Sequence, residues 1–357
     1  MENVDIISQD GISGAVANEL QKNQLNVGLM RPFIGNDGKA YATVYSGKNP
    51  NDPKSYSIVP LQTNATLRRD EWKQLDDAVL MASRERLVGI NALESRGLIF
   101  NLGNAMGTTV LEYSDMDDNL SAELSMDGIT RSKNDRPDFG TKYLPIPIIH
   151  VDYQINTRAL NASRNMGNGI DTIQAEQASR RVAEKLEDML FTNTTYTFGG
   201  GSIYSYVNHP NRNPQTLTLA WDNAGKTGAL ILADVLAMKA KQLADNKFGP
   251  WELYVPTAYD TILDNDFSAT SNGVTIRERL LKIEGLSGIK VVDRLAANNV
   301  LMVQMTTDVV RLVKGLAIQN IEWQTEGKFV NNYKVITIQV PQIRADKSGK
   351  SGIVHLA

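Results

Sequence analysis

The chain contains no cysteine among its 357 residues, and it has only three histidines. The absence of cysteine excludes disulfides, thiolate zinc sites and cysteine nucleophiles. The three histidines, His150, His209 and His355, lack the i, i+4 spacing of a helical metal site, and no G-x-S-x-G nucleophile elbow occurs. Cysteine and histidine, which many hydrolytic and metal-dependent enzymes use, are therefore absent or scarce, and the sequence predicts no catalytic residue, cofactor or metal.

Long apolar runs and an excess of basic charge are missing as well. No stretch approaches the roughly 20 apolar residues that span a bilayer, and the N-terminus, MENVDIISQDG, lacks the basic and apolar regions of a signal peptide. The net charge is −3 and the pI is about 5.8, whereas proteins that grip nucleic acid usually carry a basic patch. We therefore expect a cytoplasmic product with no membrane partner and no sequence-specific grip on DNA, which leaves open that it encloses DNA.

What remains is an ordinary globular composition, with 42% apolar and 22% charged residues. The length predicts about two closely joined domains with a sizeable core. Residues 1–66 are the least globular part, because a helical spacing around Ile12, Val16 and Leu20 gives way to the turn-forming runs GNDGK and SGKNPNDPKS. This composition is compatible with a disordered tail. The alternative that we favour is an extended arm that lies on a neighbouring chain.

Two segments have the periodicity of amphipathic helices. In residues 67–88, Trp72, Leu75 and Val79 share one stripe, with acidic and basic residues opposite. In residues 170–192 an i, i+4 course runs through positions 170, 174, 178, 182, 186 and 190, all apolar except Gln174. A helix of that length would span about 35 Å. The second helix is long enough to act as a spine that crosses the whole subunit.

Residues 108–152 differ in character from both helices. Their ends, Val110–Tyr113 and Ile146–Tyr153, are rich in β-formers, and a polar stretch lies between them. Residues 112–142 hold eight acidic residues against four basic ones. The pattern predicts a long, acidic, two-stranded excursion, which is marginal in water by itself and needs a surface to lie on.

The remainder alternates between helices and strands and then returns to strands. A helix is predicted at 227–246 and a short one at 275–285. The predicted strands are 251–256, 289–294, 300–305, 309–314, 317–323 and 333–341.

Three motifs match known functional sites only in part. Residues 220–227, AWDNAGKT, resemble a phosphate-binding loop but carry Ala220 where the motif needs glycine. The run that starts at Asp115 suggests a calcium loop but has Leu120 and Met126 where glycine and glutamate belong. We read both as plain loops.

The third hint is a pair of adjacent carboxylates, Glu187 and Asp188. Neighbouring side chains on a helix point about 100° apart, so these two cannot share one substrate. We expect them to form ion pairs with Arg180, Arg181 or Lys185, or with basic residues of a neighbouring chain.

Two stretches resemble the Hong Kong 97-type capsid family, which includes tailed-phage major capsid proteins and encapsulin nanocompartments. EWKQLD at 71–76, continued by RERLV at 84–88, is similar to the helix that opens an encapsulin-like chain. AEKLEDMLF at 183–191 resembles the spine helix of the family. The order of arm, hairpin, spine helix, α/β domain and β return also matches from about residue 67 onward, and it adds more than either string.

The resemblance implies an α+β fold of the Hong Kong 97 type with an N-terminal arm, an extended β-hairpin loop, a long spine helix, a peripheral domain and an α/β axial domain. The implied boundaries are 1–66 for the arm, 67–107 for an N-terminal helix region, 108–152 for the hairpin loop, 153–222 for the peripheral domain with the spine helix, 223–315 for the axial domain, and 316–357 for strands that return to the peripheral domain.

The resemblance also implies a structural protein that assembles with itself, as hexamers and pentamers, into an icosahedral shell around phage double-stranded DNA. Assembly would take place in the host cytoplasm, with scaffold, portal and decoration proteins as further partners. Charged residues of the hairpin and the spine helix are the expected inter-subunit contacts: Asp115, Asp117, Asp118, Arg131, Lys133, Arg136, Glu187 and Asp188.

Two alternatives stay open. An encapsulin-type shell would enclose protein cargo, although the long arm at 1–66 departs from compact encapsulins and favours a phage capsid. The other is an α/β enzyme or nucleotide-binding protein with a degenerate motif.

Overall fold

A computed structural model gives the architecture of the chain. It describes residues 31–34, 40–45, 56–60, 69–84, 87–116, 124, 126, 139–158, 172–268, 273–324, 330–346 and 348–357. Helices and sheets are mixed throughout, so the predicted α+β class is confirmed. Within these residues no helix combines the length and the hydropathy that crossing a bilayer requires.

Three short strands form a small antiparallel sheet near the N-terminus: β1 (Arg31–Ile34), β2 (Ala40–Tyr45) and β3 (Tyr56–Pro60). They lie in the region where the sequence predicts an extended arm. The aromatic and β-branched residues of AYATVY suit a strand. The helical spacing at Ile12–Leu25 lies outside the described residues.

Two helices follow where the sequence predicts one. Helix α1 (Arg69–Arg84) and helix α2 (Val88–Ser95) are separated at Leu87, whose backbone is not helical (φ −90°, ψ 80°). Val79 and Leu87 are buried, as the apolar stripe predicts. Strand β4 (Ile99–Asn101) comes next.

The predicted two-stranded excursion is present, but its second strand is not where the sequence placed it. β5 (Val110–Met116) pairs in antiparallel fashion with β6 (Phe139–Pro145), with Tyr113 opposite Lys142. The β-prone residues from Ile146 onward instead contribute to β7 (Ile149–Asn156), which belongs to a different sheet. A polar strand such as β6 is easily mistaken for a loop, because it has no core face to fill.

The predicted spine helix is helix α3 (Ile173–Phe191), 19 residues long, or about 28 Å. It buries the apolar side chains that the periodicity singles out, among them Val182, Leu186 and Leu190. A short hairpin follows it, formed by β8 (Tyr196–Phe198) and β9 (Gly201–Ile203).

The α/β segment contains a further run of elements close to the predicted ones. They are β10 (Asn213–Gln215), α4 (Gly228–Ala244), β11 (Trp251–Pro256), a 3-10 turn (Thr257–Tyr259), α5 (Asp260–Leu263), α6 (Ile276–Leu281), β12 (Leu286–Val292) and β13 (Val300–Gln304).

The C-terminal part forms two long strands and a short one. β14 (Val310–Gln324) merges two strands that the sequence separates, and irregular pairing near Lys314 and Leu316 marks the point of the predicted break. It pairs with β15 (Val330–Ile343). The last strand is β16 (Ile353–Leu356).

Two sheets carry the main cores. One has the strand order β4-β14-β15-β7, and the spine helix packs against its strand β15. The other has the order β10-β16-β13-β11-β12, with α4 and α6 beside it. β16 therefore belongs to the sheet of the predicted axial domain, although the sequence assigns residues 316–357 to the peripheral one. Its apolar IVHL pairs with both β13 and β10.

Candidate assembly surface

Among its described residues, the long hairpin formed by β5 and β6 joins an apolar core at its root. Leu144 and Ile146, at the root, are 4% and 6% exposed and join a small cluster with Val313 and Val340. Further out, Thr141, Lys142 and Tyr143 are all exposed. Thr141 and Lys142 line a pocket together with His209 and Pro341, whereas Leu124 and Met126, between the two strands, are fully exposed. Exposed apolar residues of this kind fit the predicted excursion, which needs a surface to lie on.

The glycine run at 199–201 supports this root. Gly199 and Gly200 form the turn between β8 and β9 with positive φ values of 58° and 79°, a conformation that favours glycine. At Gly201 an added Cβ would lie 2.2 Å from the carbonyl oxygen of Tyr143 in β6. The sequence marks this run only as a loop. Its position between the β-prone YTF and SIY was the available signal for a tight hairpin.

An apolar groove of about 740 Å³ lies beside the root, between the start of β7 and the spine helix. Ile148 and Tyr196 on its walls are 46% and 50% exposed. Its basic residues are Arg181, Lys185 and His150. The other lining residues are Pro147, Ile149, Val151, Met189, Thr194, Thr195 and Ile203.

Glu187 on the spine helix is buried inside its own chain, with 1% of its surface exposed. Its carboxylate accepts hydrogen bonds from the backbone N–H groups of Gly89 and Ile90, both at 3.1 Å. These amides open helix α2, which has no side-chain cap of its own. Burial raises the pKa of Glu187 to about 7, although the two backbone hydrogen bonds lower it.

This contact also explains why Gly89 lacks a side chain. An added Cβ there would lie 2.6 Å from a ring carbon of Phe191 on the spine helix. Glycine thus lets α2 approach the spine helix closely enough for Glu187 to reach its amides. The ion pair expected for Glu187 with Arg180, Arg181 or Lys185 is therefore replaced by bonds to backbone groups.

Asp188 takes a different partner. Its Oδ1 lies 3.3 Å from Nε of Arg294, whose Nη2 lies 3.0 Å from Oε2 of Glu184. Arg181, which the sequence offered to the carboxylate pair, instead pairs with Glu184 at 2.9 Å. Arg294 is far away in sequence, so helical spacing could not reveal it.

The single chain shows where some predicted contact residues lie, but their inter-subunit role stays a prediction. Glu187 has almost no surface left for a neighbour, whereas Asp188 lies at an accessible ion pair. Asp115 belongs to strand β5. The remaining five, Asp117, Asp118, Arg131, Lys133 and Arg136, lie outside the described residues.

In the loop at 220–227, which resembles a phosphate-binding loop, the lysine pairs with an acidic residue of the same chain. The side chain of Lys226 is only 3% exposed, and its Nζ lies 2.6 Å from Oδ2 of Asp234. The same Asp234 oxygen accepts a hydrogen bond from the indole N–H of Trp221 at 2.9 Å. Lys226 thus ties the loop to helix α4, an arrangement that leaves its charge neutralised within the protein.

Two of the three histidines are buried and serve the fold. His355 Nδ1 accepts a hydrogen bond from Nε of Arg212 at 3.3 Å, and its Nε2 lies 2.6 Å from Oδ1 of Asn299, which assigns the ring proton to Nε2. Burial and the charge of Arg212 lower the pKa of His355 to about 4. Burial and the charges of Lys142 and Arg212 lower the pKa of His209 to about 4 as well. Both rings are therefore neutral at pH 7.

Comparisons with solved structures identify the fold. A virus-like particle from Pyrococcus furiosus is 18% identical, with a TM-score of 0.57, and the match covers 80% of this chain and 99% of that one. The capsid of Myoviridae phage XM1 is 9% identical, with a TM-score of 0.56, over 75% of this chain and 91% of that one. At such identities the likeness shows the fold, and the Hong Kong 97-type fold that the sequence implied is confirmed.

Comparisons of sequence add a family. No curated protein matches the chain. A family model described as a family of unknown function, DUF6260, matches residues 62–356, which is most of the chain. The protein therefore belongs to the DUF6260 family.

Proposed function

We propose that the chain is the major capsid subunit of a tailed bacteriophage, a structural protein and not an enzyme. Copies of it assemble into an icosahedral shell that encloses double-stranded DNA. The observation that carries this proposal is a fold shared, over at least three-quarters of the chain, with proteins whose solved forms are a phage capsid and a virus-like particle.

The long hairpin supports the proposal on physical grounds. It exposes Tyr143, 43% accessible, and carries the fully exposed Leu124 and Met126 between its strands. A two-stranded excursion of this kind is marginally stable alone and gains stability when a neighbour covers it. Many modest contacts of this sort, summed over several neighbours, hold a closed symmetric assembly together.

The finer parts of the proposal follow from the family resemblance. Residues 153–222 and 316–357 form the peripheral domain and residues 223–315 the axial domain, apart from β10 and β16, which pair within the axial sheet. The subunits form hexamers and pentamers in the host cytoplasm, and the virion is the final location. Scaffold, portal and decoration proteins are the further partners. The net charge of −3 suits a wall that encloses DNA without gripping it.

The second candidate is an encapsulin-type shell around protein cargo. It is favoured by the match to the Pyrococcus furiosus virus-like particle, 99% of whose chain is covered. The two candidates share the shell and differ in its contents.

Electron microscopy of the purified full-length protein tests the proposal. We expect closed shells or capsomer rings, whereas a protein that stays monomeric at high concentration would contradict both candidates. Particles recovered from the native source should contain nuclease-protected DNA if this is a phage capsid, and a co-purified protein if it is a cargo shell. A melting temperature that rises with ATP would instead favour the nucleotide-binding alternative.

A further inference from the structure

A polar pocket of about 350 Å³ lies beside the root of the long hairpin. Strands β5 and β6 contribute one set of lining residues, the segment 200–211 contributes a second, and the end of β15 contributes a third. The pocket shares no lining residue with the apolar groove between β7 and the spine helix. Its volume is in the range of sites that bind small ligands.

Groups that can donate hydrogen bonds dominate the polar part of the lining. No acidic residue lines the pocket within the described chain, although residues 112–142 alone contain eight. Donors without a carboxylate among them favour a negatively charged ligand. Five hydroxyl groups, one side-chain amide and one ammonium group belong to the lining residues Tyr113, Thr141, Tyr143, Ser202, Tyr204, Asn211 and Lys142.

His209 adds a buried donor to this lining. The residue is 7% exposed, and its ring meets the ring of Tyr204 nearly at right angles, with 5.7 Å between the centroids. Its Nδ1 accepts a hydrogen bond from the backbone N–H of Asn211 at 3.2 Å, which assigns the ring proton to Nε2. Among the described residues no oxygen or nitrogen atom accepts a hydrogen bond from that Nε2–H. A buried donor of this kind is costly unless a ligand or water satisfies it.

Two cations make the surroundings of His209 electropositive. Lys142 of β6 lines the pocket, and Nη1 of Arg212 donates a hydrogen bond to the backbone oxygen of His209 at 3.2 Å. Burial, and then the charges of Lys142 and Arg212, lower the pKa of His209 to about 4. In the part of the chain that the structure describes, Arg212 has no carboxylate partner, since its Nε donates to the neutral ring of His355. The positive charge around the pocket is therefore available to an anion.

We propose that this pocket binds a small oxyanion, a phosphate or carboxylate group, through the ammonium group of Lys142, the Nε2–H of His209 and the surrounding hydroxyl groups. Hydrogen bonds to an ionised acceptor are about twice as strong as neutral ones, so few of them suffice. The bound anion would connect strand β6 of the hairpin to the loop that carries His209. The inference goes beyond the proposed function and does not depend on it.

Phosphate groups reach a protein either as free anions or within nucleic acid, and the pocket favours the free anion. A protein that grips a DNA backbone neutralises several phosphates with a row of lysine and arginine residues. Lys142 is the one basic side chain apart from His209 among the lining residues. One compact site with a single ammonium group suits one anionic group.

Isothermal titration calorimetry of the full-length protein with sodium phosphate tests the proposal. The titration is run at pH 7 in sodium chloride at constant ionic strength, so that general screening does not change. We expect one site per chain with a dissociation constant of about 1 mM or lower, since two charge-assisted hydrogen bonds support that affinity. Sodium acetate, as a carboxylate probe, should bind to the same site and compete with phosphate.

Two variants remove the contacts that carry the proposal. His209→Asn keeps an acceptor for the Asn211 amide and removes the Nε2–H donor. Lys142→Met removes a charge at an exposed position, where folding should be unaffected. Each variant should weaken phosphate binding by at least about tenfold. Lys282→Met, at an exposed lysine outside the pocket, makes the same change in net charge and should leave the affinity unaltered.

Several outcomes would overturn the inference. Absence of saturable phosphate binding would do so, as would equal affinities in the parent protein and in both pocket variants. An equal loss in Lys282→Met would assign the binding to net charge. A short single-stranded DNA that binds more tightly than phosphate, and loses affinity in both pocket variants, would assign the pocket to nucleic acid.

Discussion

The long hairpin and the five-stranded sheet use β-structure in opposite ways. Every residue of β11, β13 and β16 is buried, because helices or neighbouring elements cover both faces. In β5 and β6 the described side chains are half-buried or exposed, except at the root. The sheet is therefore held by its own core, whereas the hairpin has none beyond its anchor.

Buried polar groups sharpen this contrast. In the sheet region Gln242 of α4 donates hydrogen bonds to the carbonyl oxygens of Met302 and Gly352, at 3.0 and 2.9 Å, and thereby joins the helix to two segments distant in sequence. Such internal bonds stabilise one arrangement of a single chain. We therefore expect folding and assembly to depend on separate segments, so that changes in each have separate effects in experiments.

The largest expected effect is the loss of assembly without loss of folding. Replacing residues 115–140 with an Asn-Gly turn connects the paired residues Ser114 and Thr141, which shortens the hairpin and leaves its root intact. We expect a folded subunit with an almost unchanged melting temperature that forms no stable shells, as measured by calorimetry and electron microscopy. Normal shells from this variant would refute the role given to the hairpin.

The converse change should lower the stability of the fold. Leu253→Ala in β11 empties a site that is 0% exposed, and we expect it to lower the free energy of unfolding by about 2–5 kcal/mol. Leu281→Ala, at a site 43% exposed, is the matched control and should cost less than about 1 kcal/mol. Urea denaturation measures both. Equal losses of unfolding free energy in the two variants would contradict the claim that the buried core of the sheet stabilises the fold.

The buried carboxylate of Glu187 predicts that the stability of the folded chain depends on pH. Its folded pKa of about 7 lies above the ordinary value of 4.5, so the folded state binds this proton more tightly than the unfolded state. Stability from this group is complete below pH 4.5 and is lost as the pH rises to 7. Between pH 4.5 and 7.5, Glu187→Gln should therefore gain about 3 kcal/mol relative to the parent protein.

The difference between variant and parent isolates Glu187 from the two buried histidines. Their pKa values of about 4 lie below 6.5, so their contribution is lost in the opposite direction, as the pH falls from 6.5 to 4. Denaturation of both proteins at a series of pH values measures the difference. A difference that does not change with pH would contradict the buried, partly protonated carboxylate.

The smallest expected effect lies where the hairpin meets the core. Gly201→Ala brings a Cβ against the carbonyl oxygen of Tyr143, and we expect a cost of about 1–3 kcal/mol. Gly103→Ala, where an added Cβ meets nothing within 4 Å, serves as the control. Thermal melting compares the two. If Gly201→Ala melts like the control, the short β8–β9 hairpin is not the support of the root.

Much of the fold was accessible from local sequence patterns. The strand at 251–256 has the predicted bounds, and the spine helix lies within its predicted range, because both have strong periodicity or apolar runs. The polar strand β6 was missed, since a strand without a core face shows no alternation. β14 was read as two strands because irregular pairing near Gly315 interrupts its pattern.

The candidate site was predictable only in outline. The excursion and its acidic character are local features, and they were recognised. The groove is not local, since it joins residues 147–151 to the spine helix and to Tyr196. The role of Glu187 depends on Gly89, 98 positions away, and on a depth of burial that adjacent charges in a sequence do not reveal. Pairings at such separations follow from the tertiary fold alone.

Electron microscopy of the purified full-length protein tests the central claim most directly. We predict closed icosahedral shells, or rings of five or six subunits when closure is incomplete. A homogeneous monomer that never assembles, at any concentration or ionic strength tried, would contradict the assignment as a shell subunit.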